Sequence, residues 1–75
     1  MTLADVNLNE RALITNINIK DKTYSIRLQE LGLYVGSVVM ILNFSPLKQT
    51  YLIQIFNSVF AIKKEILNQI EVRLI

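Results

Sequence analysis

The chain has 75 residues and a formal net charge of +2, eight Lys and Arg against six Asp and Glu, which is enough length for one domain with a thin core and weak electrostatic steering toward nucleic acid. It contains neither Cys nor His, which excludes disulfide staples and the usual structural zinc sites and leaves the 52% hydrophobic content to supply stability by packing. The usual neutral-pH base and the best nucleophile are missing with them.

Residues 2–10 read as an extended leading segment, with Leu3, Val6 and Leu8 available to cover one end of a core. Asp5, Glu10 and Arg11 break up its apolar groups, so a signal peptide is not expected. No apolar run reaches the roughly 20 residues of a membrane span, and a cytosolic location is the default expectation. Residues 12–19 carry Ala12, Ile14, Ile17 and Ile19, whose phase changes between 14 and 17. That break predicts a bulge or bend near Thr15-Asn16.

The polar stretch Lys20-Asp21-Lys22-Thr23 reads as a turn, from which either Asp21 or Thr23 can cap a following helix. Tyr24, Leu28 and Leu31 recur at helical spacing with Arg27 and Glu30 on flanking positions, predicting an amphipathic helix over residues 23–31 with Leu28 and Leu31 as its core side. Gly32 stands where a left-handed residue would close the helix, and Leu33 is placed to pack back on its last turn. Gly36 then marks a tight approach to Ser37–Phe44, an apolar run whose β-branched start favours strand and which reads as the central strand of a small barrel.

Pro46 ends that strand in the loop Ser45-Pro46-Leu47-Lys48-Gln49. Tyr51–Phe56 and Val59–Ile62 predict two more strands joined at Asn57-Ser58, where Asn57 tolerates positive φ. Residues 63–68 fit one helical turn, and Ile70, Val72 and Leu74 alternate with Glu71 and Arg73 in a half-buried closing strand. The expected class is mainly β: a small barrel of about five strands, a short helix between the first and second strands, and one helical turn before the last, all in a single domain.

Chemistry is poorly supplied. Glu30 and Glu65 both flank predicted helical turns, yet solvation is the simpler account of all six carboxylates. No acidic cluster has the spacing of a hard-cation loop, so neither a metal site nor a cofactor is expected. Gly32 and Gly36 follow a helix and precede a strand, the reverse of a phosphate-binding loop. Tyr24, Tyr34 and Tyr51 can each cap a barrel end, and Tyr34, between the glycines, is the best placed for a partner surface. A basic stripe made of Lys20, Lys22, Lys63 and Lys64 would favour a nucleic-acid role, and an exposed Tyr51–Phe56 strand would favour a homo-oligomer.

Arg27-Leu28-Gln29-Glu30-Leu31-Gly32-Leu33 followed by Gly36 and Val38-Val39-Met40 resembles the signature of the ferrous iron transport protein A (FeoA) family. The resemblance extends to Thr2-Leu3-Ala4-Asp5-Val6, to Ser45-Pro46-Leu47, to Ala61-Ile62-Lys63-Lys64-Glu65 and to Ile70-Glu71-Val72. Where that family commonly has glycine, this chain has Asn9, Lys48-Gln49 and Asn57, and Leu8 replaces a common proline. The resemblance implies an SH3-like fold, also found appended to iron-dependent and manganese-dependent repressors. It implies a non-enzymatic cytosolic accessory protein acting on the GTPase side of the FeoB ferrous iron transporter, with the membrane reached only through that partner. The partner surface is expected at Arg27, Glu30, Leu33 and Tyr34, framed by the structural residues Leu28, Leu31, Gly32, Gly36 and Pro46.

Overall fold

A computed structural model describes Met1–Ile75. Its strands are β1 (Arg11–Ile17), β2 (Val38–Phe44), β3 (Thr50–Ile55), β4 (Ser58–Lys63) and β5 (Ile70–Leu74), with helix α1 (Lys22–Glu30) between β1 and β2 and the single turn α2 (Lys64–Leu67) before β5. All pairings are antiparallel and the order across the sheet is β4-β3-β2-β1-β5. The register of β1 against β5 shifts between Ile14 and Asn16, at the predicted break. A second shift, between Ile41 and Asn43 in β2, has no counterpart in the sequence reading. Such irregularities bend a strand and strengthen its twist, which lets five strands curl about one core.

The core forms where the alternating positions of β1, β2, β3 and β5 meet: Ala12, Ile14, Val39, Ile41, Tyr51, Ile53, Ile55, Ile70 and Val72 are all buried. Leu28, Leu33 and Leu67 close it from the helical side, and Leu3 and Val6 from the leading segment. That segment is not extended throughout. Leu3–Asp5 makes a 3-10 turn because the Asp5 carboxylate accepts from the Thr2 backbone N–H (2.9 Å), while Leu8 stays exposed. Asn9 takes φ 64° and donates its N–H to the Ile41 carbonyl at 2.8 Å, tying the segment to β2.

Asp21, rather than Thr23, caps α1, its Oδ1 accepting from Thr23 N (3.0 Å) and Tyr24 N (3.2 Å). The helix ends on Gly32 (φ 100°), with Leu33 N donating to Leu28 O (2.9 Å) and Gly32 N to Gln29 O (3.0 Å). These are the two bonds of a Schellman cap, and they turn Leu33 back under the helix.

Three expectations need correction. Leu31 is not a core residue: the helix stops before it, and it lies 48% exposed, while Leu33 takes the buried place. The β3–β4 hairpin pairs Ile55 with Ser58, so its turn residues are Phe56-Asn57, and Phe56 rather than Asn57 carries positive φ (54°). Tyr51–Ile55 lies between β2 and β4, and the edge strands are β4 and β5. An oligomer paired through Tyr51–Phe56 therefore has no free edge to use.

Candidate partner-binding surface

The corner between α1 and β2 is rigid although it is neither helix nor strand. Gly36 N donates to Ile14 O and Ile14 N to Ser37 O, both at 2.9 Å, so the corner is laced to β1. Ser37 is the buried polar residue of the molecule, and its Oγ donates to Gly32 O at 2.6 Å and accepts from Tyr34 N at 3.3 Å. A hydroxyl so placed satisfies the helix end and holds Tyr34 outward. The sequence reading passed over Ser37, since a serine before a strand gives no signal until the chain folds back on Gly32.

Of the four residues expected at a partner surface, the structure exposes Arg27, Glu30 and Tyr34 and buries Leu33 at 1%. Leu33 is therefore withdrawn as a surface contact, because the cap that shapes the corner consumes it. Arg27 and Glu30 lie one helical turn apart on α1, and Arg27 sits in its last turn, where a cation favours the helix dipole. Exposed Ile26, Leu31, Tyr34 and Val35 supply apolar surface around them.

Phe56 extends this surface onto the sheet. Its ring lies against Gly32, where a Cβ would come within 3.1 Å of it, and 65% of the residue is exposed. Beyond it a groove of about 400 Å3 runs between β1, β2 and β3, lined by Arg11, Gly36, Val38, Val39, Met40, Gln54 and Phe56.

The loop after β2 forms a separate, polar depression. Ser45 Oγ accepts from Gln49 N (3.1 Å) and Thr50 N (3.2 Å), and Lys48 adopts φ 55° where a glycine was looked for. Its Nζ lies 5.0 Å from the centroid of the Phe44 ring, a cation–π contact that keeps the lysine folded over the loop. Lys48, Lys63 and Lys64 line this depression with Glu65, and neither Lys20 nor Lys22 takes part. One carboxyl departs from its ordinary range. Asp5 is held below 3.8, chiefly by the Thr2 backbone N–H; partial desolvation opposes this, and the Thr2 hydroxyl and the positive charges of the N-terminus and Lys64 lower it further. No three Asp or Glu side chains converge as a metal ion would require, and no helix is long and apolar enough to cross a membrane.

A five-stranded antiparallel sheet with a capped helix after its first strand and a helical turn before its last defines a small β fold of the SH3-like type. The chain belongs to the FeoA domain family, whose family model matches residues 1–74. A solution structure of iron(II) transport protein A from Clostridium thermocellum superposes with a TM-score of 0.89 at 21% identity, covering 100% of this chain and 46% of that one. This chain thus spans less than half the length of that relative. The zinc complex of Stenotrophomonas maltophilia FeoA, described as a prokaryotic SH3 domain protein, gives a TM-score of 0.82 at 24% identity over 97% of this chain and 89% of that one. The manganese-activated repressor ScaR in its apo form gives 0.81 at 19% identity, covering 100% of this chain and 35% of that one. A search of curated protein sequences gives no match.

Proposed function

We propose that this chain is a non-enzymatic cytoplasmic accessory protein of bacterial ferrous iron uptake, docking on the cytosolic GTPase side of a FeoB-type transporter. The observation that carries the reading is the family match across residues 1–74. The α1–β2 corner supports it. Arg27 and Glu30 give orienting charge around the apolar surface of Leu31, Tyr34 and Val35, on a turn that hydrogen bonds hold in one shape. The membrane is reached only through the transporter.

The test is a chemical-shift titration of labelled protein with the transporter's cytosolic domain in each nucleotide state. We expect shifts centred on residues 27–36, and Tyr34→Ala should weaken binding about tenfold with an unchanged melting temperature. The Lys48, Lys63 and Lys64 depression is the one observation favouring a nucleic-acid module instead. Binding to RNA at physiological salt, with none to the transporter domain in any nucleotide state, would sink the docking reading.

A further inference from the structure

The outer face of the sheet combines charge and apolar surface in an order that its register imposes. Arg73 on β5 stands opposite Leu13 on β1, and Leu13 opposite Val38 on β2. In the next row Arg11 stands opposite Met40, Met40 opposite Gln54, and Gln54 opposite Val59. Each row begins with an arginine and passes next to an apolar side chain, the second row being interrupted by Gln54, with Phe56 also lining the groove.

No carboxylate lines that groove. Asp5, Glu10, Asp21 and Glu71 are engaged elsewhere, accepting hydrogen bonds from Thr2, Asn7, Thr23 and Asn16 respectively. Glu65 lines the polar depression, and Glu30 closes α1. Arg11 therefore has no carboxylate beside it in the groove lining, while Glu71, which shares the exposed face of β5 with Arg73, is turned to Asn16 on β1. Phe56 adds a second, independent observation. A bulky residue at φ 54° is strained, and a ring 65% exposed recovers little of that strain by burial.

We propose that this face is a docking groove for an acidic, apolar segment of a partner protein, lying across the strands with its carboxylate toward Arg11 and Arg73 and its apolar side chain against Val38, Met40 and Phe56. The inference rests on the reading of the chain as a docking protein and specifies what the docked segment looks like. Strands are spaced about 4.8 Å, so β5 to β2 is about 10 Å, the span of about three residues of extended chain. The matching segment carries Asp or Glu about three positions from Leu, Ile or Phe. The Lys48 depression fits such a segment poorly, since its lining is polar and already holds Glu65.

The probe is a heptapeptide with blocked termini bearing Glu and Leu three positions apart on a Ser/Gly background, titrated into labelled full-length protein. Shifts should fall on the amides of Arg11, Val38, Met40, Gln54 and Phe56 and fade at high salt. Glu→Gln in the peptide, or Arg11→Gln in the protein, should weaken binding at least about fivefold. Phe56→Gly should keep or raise the melting temperature while weakening the peptide about tenfold, which separates a contact role from a folding role. Equal binding of the Gln peptide, unchanged affinity in Phe56→Gly, or shifts confined to Lys48, Lys63 and Lys64 would each overturn the proposal. A transporter domain that binds without perturbing the outer face would overturn the groove alone. A groove that takes the peptide while the transporter domain stays unbound would support the groove and discard the transporter reading.

Discussion

The two faces of the sheet are built from the same strands and both carry apolar side chains, but they differ in what covers them. On the inner face Ile41, Ile53 and Ile55 are fully buried under α1, α2 and the leading segment. On the outer face Val38, Leu52 and Val59 remain 41%, 38% and 49% exposed. Burial of the inner face is what folding requires, whereas the outer-face side chains are only part-covered by folding and leave apolar surface open to contact.

The largest effect that tests this difference is Ile53→Ala. Loss of a fully buried Ile should cost about 2–5 kcal/mol in chemical denaturation, a large part of the roughly 4–11 kcal/mol expected of a domain this size. Leu52→Ala, one residue along and on the other face, should cost under about 1 kcal/mol. Comparable losses from the two would show that the outer face is as much a part of the folded core as the inner.

Next in size is Ser37→Ala. Removing a buried hydroxyl that donates to Gly32 O at 2.6 Å should cost about 1–3 kcal/mol and broaden the Tyr34 amide resonance. A neutral result would mean that the glycine geometry alone fixes the corner.

The smallest effect lies at the leading segment, which covers one end of the inner face. Because the Thr2 N–H holds the Asp5 carboxyl below 3.8, its stabilising contribution is present above that value and is lost as pH falls through the lowered one. Asp5→Asn should therefore flatten the stability profile below pH 3.8 by lowering stability at neutral pH, where the ionised carboxylate contributes, while changing little in acid. A variant whose acid limb follows the parent would remove Asp5 from that account.

Element types were largely legible because their causes are local. Asp21 two residues before Thr23, Gly32 after a helical stripe and Pro46 after a strand each act within one turn of chain. The phase break at Thr15-Asn16 was readable for the same reason. What failed depended on backbone geometry that residue type alone does not fix. Leu31 and Leu33 exchange places because the cap, not the helical period, decides which leucine turns inward. Positive φ falls on Phe56 rather than Asn57 because the Ile55–Ser58 pairing sets the hairpin register. The groove left one trace: Val38–Leu42 is apolar without alternation, which fits a strand buried on both faces. Only the sheet order shows that its second face is bare.

The pairing of β1 with β5 also sets the order of assembly. β2, β3 and β4 meet through short loops, whereas Asn16 reaches Glu71 across 55 residues of sequence. Closing so long a loop loses chain entropy before any contact repays it, so we expect the three-strand meander to form early and the β1–β5 seam to form late. Until that seam closes, Arg73 has no Leu13 beside it, and the outer face gains its arginine end only in the last folding step.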